Sequence, residues 1–488
     1  MIRLYFGIFF FLNSFVFANS KSDTLQSSLL EVKITTQTPN FQFPWIIKKP
    51  ILQEGVGVYV GKEQILILAN LVEYATSIEV IKYSSNISEP AKLQKIDFEA
   101  NLAILTVNNK KFFQDLKPAK FEDKVKLDTE VTICQLDQTQ TLQTAKARIS
   151  GMDMDQYPLS HIELPYLNIV SNEKLEGKGE VISFEGKIFG LVYKFFPNKN
   201  SARGIPSFIV NQFLEYEKKG SAFPFMGFQY RPIIDQATKD YYELKKEGVL
   251  VTEIIPYSGA EKVLQLEDII LEAGGFTLDA LGRFQHPDLE YGKQSLSFLL
   301  HSGKEIGYTK GDKIHLKILR NHKEMTINLP LKAFPYKAIA IPHTHNFGKN
   351  PEYTILGGFI FTELSEFLLK EWGANWRSRV DKKLLYLLDY KKFHEPKQSG
   401  KILVLVQVLP DDSNNGYHNL NMEILKSVNG KPVKSIKELE KLIFQSKEEI
   451  AALELENEIT IAIDLKNLSQ INERISQKFN IPKLSSKQ

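Results

Sequence analysis

The sequence predicts a mostly β chain: one barrel- or sandwich-like domain, then two smaller units that share one plan. Three observations carry that expectation. From 41 to about 210 the chain is a series of short runs rich in Val, Ile, Leu and Tyr, separated by polar turns. Two later stretches, "GVLVTEIIP" (248–256) and "KILVLVQVLP" (401–410), begin units of the same outline. Helical spacing is confined to isolated segments such as "SFIVNQFLEYEKKG" (207–220). A length of 488 residues allows roughly three domains.

The elements follow in order. Arg3 gives one positive charge, the run from Leu4 to Phe17 is almost wholly apolar, and "VFA" ends at Ala18. That is the pattern of a secretory signal peptide over 1–18. The rival reading is an uncleaved anchor, but the run is shorter than the roughly 20 residues a span needs. No later segment is apolar enough to cross a membrane, so no transmembrane span is expected after cleavage. The strand-like runs are "GVGVYV" (55–60), "QILILA" (64–69), "SIEVIKY" (77–83), "LAILTV" (102–107), "EVTICQL" (130–136) and "KIFGLVY" (187–193). The helix over 207–220, stopped by Gly220, closes this first domain.

The second unit runs from about 223 to 333. It contains "LEDIIL" (266–271), read as a buried strand after a polar turn, and a strand pair around Asn321. A Pro- and His-containing stretch, 335–351, reads as a linker. The third unit, 352–467, closes on "EITIAIDL" (458–465), and the polar residues 468–488 read as a loose tail.

Composition narrows the function classes. A net charge of +3 argues against a dedicated nucleic-acid binder. Cys134 is the one cysteine, so no intrachain disulfide forms, and it reads as a small buried apolar residue. An exported chain without disulfides fits a bacterial periplasm or cell exterior. No nucleotide loop or zinc spacing occurs, so no cofactor and no metal is expected. "HTH" (343–345) has H-x-H spacing but no Cys or acidic partner nearby, and it reads as part of the linker. The basic run 390–401 reads as a solvated loop.

The order of units, together with "NNGYHNLNMEILKSVNGKPVKSI" (414–436) near the end, resembles the HtrA/Deg family of trypsin-like serine proteases with PDZ domains, nearest its plant Deg branch. The resemblance covers essentially the whole mature chain. It implies a chymotrypsin-like double β-barrel at 40–220, a PDZ domain at 222–334, the linker 335–351, and a second PDZ-like α+β domain at 352–467. It also implies a homotrimer, or mixed assembly with an active relative.

The same resemblance locates a catalytic triad and finds it replaced. The family's T-N-A-H-V-V is here Ile67-Leu-Ala-Asn70-Leu-Val72, which puts Asn70 in the histidine place. The family's D-[IL]-A-[LV]-L is here Asn101-Leu-Ala-Ile-Leu105, which puts Asn101 in the aspartate place. Counting back from "GKIFGLVY" puts Gly177 in the serine place. An amide has no usable pKa and cannot act as a base. A triad needs all three roles: attack, proton acceptance and tautomer control. The barrel region holds one histidine, His161, after the aspartate place. A rewired site using His161 is the enzymatic alternative. Glu176 and Glu180 beside Gly177 read as charges on a solvated loop.

The peptide-binding loops implied by the PDZ resemblance are Phe225-Met226-Gly227-Phe228 and Leu356-Gly357-Gly358-Phe359-Ile360. Such loops receive a peptide carboxylate on backbone N–H groups while the peptide adds as a strand. A turn between core strands is the competing reading for each. The expectation is therefore an exported pseudoprotease that binds peptide C-termini or unfolded segments as scaffold, chaperone or regulator. The alternatives are an active serine-type endopeptidase and an envelope assembly protein without a soluble peptide ligand. Restoring His, Asp and Ser at 70, 101 and 177 is the rescue that the alignment suggests.

Overall fold

The computed structural model describes residues 25–82, 87–122, 127–136, 141–218, 220–287, 292–301, 307–394 and 400–487. The signal-peptide stretch 1–18 lies outside the described residues. Within them no helix is long and apolar enough to cross a membrane.

Two closed six-stranded antiparallel barrels form the first half. Strands β1 (Leu29–Thr36), β2 (Ile51–Gly61), β3 (Gln64–Leu68), β4 (Ala75–Lys82), β5 (Ser88–Asp97) and β6 (Leu102–Val107) close in the order β1-β2-β3-β6-β5-β4. Strands β7 (Glu130–Leu136), β8 (Leu142–Gln156), β9 (Glu163–Ser171), β10 (Val181–Phe184), β11 (Lys187–Phe196) and β12 (Ser201–Pro206) close in the order β10-β11-β12-β9-β8-β7. The apolar runs read from sequence are these strands. β6 and β7 coincide with "LAILTV" and "EVTICQL". Closure removes the exposed edges that such strands would otherwise present.

The helix after β12 is shorter than its sequence pattern. It spans Ser207–Glu215 and ends before Gly220. Lys95 is the reason. Its ammonium donates to the carbonyls of Phe213 and Tyr216 and so satisfies the helix end that a glycine motif would otherwise serve.

The next sheet has β13 (Phe228–Pro232), β14 (Val249–Ile254), β15 (Ile269–Ala273), β19 (Lys313–Arg320) and β20 (Lys323–Pro330) in that order, with β16 (Phe276–Thr277) beside β15. β17 (Arg283–Phe284) and β18 (Gln294–Ser295) form a separate pair that leads into the helix Leu296–His301. β19 and β20 turn at Asn321 and His322, both with positive φ, as a two-residue hairpin requires. Asp268, ahead of β15, is buried and receives Arg320 through both carboxylate oxygens at 2.7 and 2.6 Å.

The last sheet runs β21 (Tyr353–Leu356), β22 (Phe359–Glu363), β23 (Leu403–Val408), β24 (Asn421–Val428), β26 (Ile450–Leu455) and β27 (Thr460–Asp464), with β25 (Lys431–Pro432) on β24. Its helix Ile436–Phe444 is capped by Ser435, whose hydroxyl oxygen accepts from the Glu438 N–H.

The segment after Leu468 is not loose. Leu468–Lys478 is a helix that buries Leu468, Ile471 and Ile475. These positions lie on one face at helical spacing, a narrow stripe within a polar run, which is why overall polarity misled the sequence reading. Arg474 adds a bidentate pair to Asp411 at 2.8 and 2.6 Å. The stretch 335–351 is likewise packed: Ala338, Ile341 and His345 are buried. A second tie joins the first barrel to the last domain. Phe41 stacks on Phe367 at 5.2 Å, and Glu371 accepts from the Phe41 N–H and the Lys48 ammonium.

Candidate functional site

The helical turn Ala69–Val72 follows β3 directly and carries Asn70. Asn101 ends the loop between β5 and β6 in a left-handed conformation, φ 53°, which Asn tolerates better than most residues. The fold brings the two together. Asn101 Oδ1 accepts from the Asn70 backbone N–H at 2.9 Å, and the Ala69 N–H donates to the Asn101 carbonyl at 2.9 Å. Asn70 Oδ1 and Asn101 Nδ2 are buried without a partner among the described residues. Neither side chain can take up a proton near neutral pH.

Gly177 lies in the loop between β9 and β10. The loop packs on the first barrel: the Val56 N–H donates to the Lys178 carbonyl at 3.0 Å, and a Cβ at Gly179 would lie 3.7 Å from Leu68. Residues 70, 101 and 177 therefore share one region between the barrels. Gly177 has φ +75°, and a Cβ there would stand 2.8 Å from Lys194 Cα. A serine does not fit this backbone.

The two glutamates of the loop differ from the sequence reading. Glu176 is exposed and pairs with Lys178 at 2.7 Å, as a solvated charge does. Glu180 is 1% exposed. Its carboxylate accepts from the N–H groups of Glu176 at 2.5 Å, Gly177 at 2.8 Å and Lys178 at 2.6 Å. The glycine-bearing turn points these amides inward, and the side chain three residues on folds back to meet them. The loop is thus an anion-binding nest that holds its own anion. Burial raises the Glu180 carboxyl above its usual range, and the N–H donors oppose that shift.

His161 is structural in its surroundings. Glu99, itself fully buried, accepts from the His161 N–H at 2.6 Å, the Ser160 hydroxyl at 3.0 Å and the Tyr336 hydroxyl at 2.8 Å, and lies 3.3 Å from His161 Nδ1. Burial alone would raise the Glu99 carboxyl, but His161 and Tyr336 hold it below its usual value. His161 stacks on Phe334 at 4.3 Å and meets the rings of His343 and His345 at 5.1 and 4.9 Å. His345 in turn stacks on Phe98 at 4.2 Å. Burial lowers both His343 and His345 to about 4. "HTH" is therefore a half-buried and a buried ring strapping 335–351 to the barrels, not a loose linker, and no metal-holding cluster occurs among the described residues.

The Thr344 hydroxyl contacts His161 Nε2 and also lies 3.2 Å from Nδ1. It therefore sits toward the ring face and not along a ring-nitrogen lone pair, which is poor geometry for proton transfer to a base. Thr344, His161 and Glu99 do not make a working triad.

At the sheet that begins with β13, a cavity of about 490 Å³ lies between β13 and the helix Leu296–His301. Met226, Phe228, Ser297 and His301 line it from that domain, and His161, Phe334, His343 and Phe393 wall it from outside. The Met226 and Gly227 N–H groups bond to no acceptor among the described residues. His301 Nδ1 is buried without a partner among them, and burial lowers this ring to about 3. The basic run 390–401 is partly tied down here: the Lys392 carbonyl accepts from the Ala340 N–H at 2.8 Å.

The second loop is a different object. Leu356 and Phe359 are register partners, and Gly357 and Gly358, φ 58° and 91°, form a two-residue hairpin turn between β21 and β22. Its groups are already bonded. The Gly357 N–H donates to Asn472 Oδ1 at 2.8 Å, and the Gly357 and Gly358 carbonyls accept from Asn414 Nδ2 and the Leu409 N–H. Leu356, Gly357, Gly358, Phe359 and Ile360 do not form a peptide-receiving loop, because β21 covers the edge of β22 on which a peptide would add.

Sequence reasoning missed Glu99, Tyr336 and the buried state of Glu180 and His345. For Glu180 a local signal existed: an acid three residues after a glycine turn. For Glu99 none did, since its partners are 62 and 237 residues away.

A family model described as a PDZ domain matches residues 341–488. The chloroplastic protease Do-like 2 of Arabidopsis thaliana is 24% identical over 93% of this chain and 74% of its own length. The mitochondrial protease Do-like 4 of the same plant is 25% identical over 95% of this chain and 86% of its own. Among solved structures, the HtrA-type protease AlgW with decapeptide aligns at a TM-score of 0.49 with 14% identity, over 65% of this chain and 98% of that chain.

Proposed function

We propose that this chain, a homologue of the Deg/HtrA (Do-like) proteases with their trypsin-like fold and a PDZ domain, binds extended peptide segments without hydrolysing them. The observation that carries the reading is Glu180. An oxyanion hole works by leaving backbone N–H groups free for the charge that develops on the substrate. Here the N–H of residue 177 and those on either side are bonded to a resident carboxylate. A tetrahedral oxyanion would have to displace that carboxylate and then sit beside its charge. With amides at 70 and 101 and no hydroxyl at 177, every role that the fold serves in hydrolysis is unfilled.

Binding falls to the first PDZ-like domain. Its loop keeps free N–H groups at Met226 and Gly227, and β13 is an edge strand next to a cavity of mixed polar and apolar lining. The apolar run before Ala18 supports export of this binding protein across a membrane.

The test is turnover of unfolded casein by the purified chain, beside binding of fluorescein-labelled decapeptides with an apolar last residue. Casein cleavage is expected at the buffer background. Peptides with a free carboxylate are expected to bind about tenfold more tightly than their amidated forms, a difference of about 1.4 kcal/mol. Casein cleavage blocked by a serine-hydrolase inhibitor would sink the proposal, and equal affinity for both peptide forms would remove the carboxylate-capturing loop.

A further inference from the structure

The last domain carries a second strand-addition position, displaced outward by one strand. β21 bonds to β22 along its whole length, from Tyr353↔Thr362 to Leu356↔Phe359, and ends on the Gly357–Gly358 turn. It lies where an added peptide would lie, so the open edge of the sheet becomes the far side of β21. That edge is occupied by the segment after the final helix. The Ile355 N–H donates to the Leu484 carbonyl at 2.8 Å, and the Ser486 N–H donates to the Tyr353 carbonyl at 3.1 Å. Thr354 and Ser485 form an antiparallel bridge. The Tyr353 N–H donates to Ser486 Oγ at 3.2 Å, and its hydroxyl donates to the Lys483 carbonyl at 2.9 Å.

We propose that the outer edge of β21 is an exchangeable strand-binding site, whose resident ligand is the chain's own segment 483–487 and whose partner in trans is the same segment of a second copy. The anchoring fits exchange. Ile481, 2% exposed, fastens the chain just upstream and Pro482 follows it, so 483–487 can leave without disturbing the helix Leu468–Lys478. The segment itself is short and polar, with Leu484 only partly buried. From the side, Ser485 Oγ donates to Glu440 at 2.5 Å and Lys487 pairs with Glu352 at 3.4 Å at the surface. A cleft of about 850 Å³ opens beside it, between Phe444 and Glu440 on one helix and Asn472 and Ser476 on the other. A strand can enter or leave through that cleft while β21 stays paired. The recognition is main-chain, with one apolar side chain at 484 and a small hydroxyl residue at 485 that meets Glu440 of the helix.

The probe is a fluorescein-labelled peptide with the sequence of 479–487, measured by anisotropy against the chain as it stands and against a chain ending at Pro482. The shortened chain is expected to bind saturably, and the full chain at least about tenfold more weakly because its own segment competes. The same peptide N-methylated at the nitrogen matching Ser486 is expected to lose about tenfold, since it cannot donate to the Tyr353 carbonyl. A shortened chain that keeps its circular dichroism and fails to bind overturns the proposal. So does equal binding of the methylated peptide. If the shortened chain does not fold, amide exchange in the full chain decides. The Ile355 N–H, which bonds Leu484, is expected to exchange at least about tenfold faster than the Ile360 N–H in β22. Equal rates would make 483–487 a permanent strand and overturn the exchange.

Discussion

The variant carrying Asn70→His, Asn101→Asp and Gly177→Ser is expected to show no casein turnover and to fold less stably than the parent. The change at 101 is accommodated, because its side-chain oxygen already accepts from the residue 70 backbone N–H at 2.9 Å and a carboxylate can do the same. The third change is not. A side chain at 177 must adopt φ near +75° and place its Cβ 2.8 Å from Lys194 Cα. A β-carbon in the left-handed region costs about 1–2 kcal/mol, and overpacking against main chain adds about 1–3 kcal/mol. The loop must move or the second barrel must loosen. Even after movement, Glu180 holds the amides that an oxyanion needs. The rescue suggested by alignment alone therefore fails on geometry. Calorimetry of the Gly177→Ser single variant is expected to show the barrel transition lowered by several degrees. Turnover in the triple variant above that of the parent would show that the loop readily takes another conformation, and would sink this account.

Lowering the pH from 6.5 to about 4 is expected to release the strap 335–351 from the barrels. His343 and His345 are held neutral by burial, with folded values of about 4 against an ordinary 6.5. A ring whose folded value is depressed contributes stability above its unfolded value. That stability is lost as pH falls toward the folded one. Each ring accounts for on the order of 3 kcal/mol across this window. His301 is lowered further, to about 3, and works in the same direction. The carboxyl of Glu99 is also held below its usual value and adds to the loss once pH falls below about 4.5. Around this cluster stand His161, Tyr336 and Asp97 from the barrels and strap, and Lys392 from the last domain, whose charge further disfavours protonated His343. Limited trypsin digestion of acid-pulsed protein at Lys337 and Lys349 reads the opening, expected to rise at least about tenfold between pH 7 and 4.5. Glu99→Ala is expected to give the open pattern already at pH 7, at a cost of about 3–5 kcal/mol. It removes the acceptor for the Tyr336 hydroxyl and the His161 backbone N–H together, while the Ser160 hydroxyl keeps the Ile162 carbonyl. A digestion pattern independent of pH in the parent, with Glu99→Ala unchanged, would show that the strap is held by its apolar residues alone.

Much of the fold was legible because strand patterning is local. Runs such as "LAILTV" and "EVTICQL" specify strands by composition and by the turns at their ends, and the Asn-His turn at 321–322 specifies a hairpin by its φ preferences. Asn70 and Asn101 could be paired through their separation and the resemblance, and the 2.9 Å bond between them follows from barrel closure. The helix Leu468–Lys478 was legible in principle, from Leu468, Ile471 and Ile475 at helical spacing, but a net-polar composition concealed it.

By itself the sequence determined the β-rich architecture, and it placed amides at 70 and 101 and a glycine at 177. Only the tertiary structure decided which polar groups are buried and what they bond. Glu176 and Glu180 are the same residue type four positions apart, yet one is solvated and the other fills a nest of amides, because the turn directs one side chain outward and the other in. The two glycine-bearing loops 225–228 and 356–360 look alike in sequence. They differ because β21 returns to cover β22 while β13 is left at an edge. Hydrogen-bond satisfaction of buried groups is a property of what lies opposite in space. For Glu99 what lies opposite comes from residues 160–161 and 336, and no window of sequence holds them together.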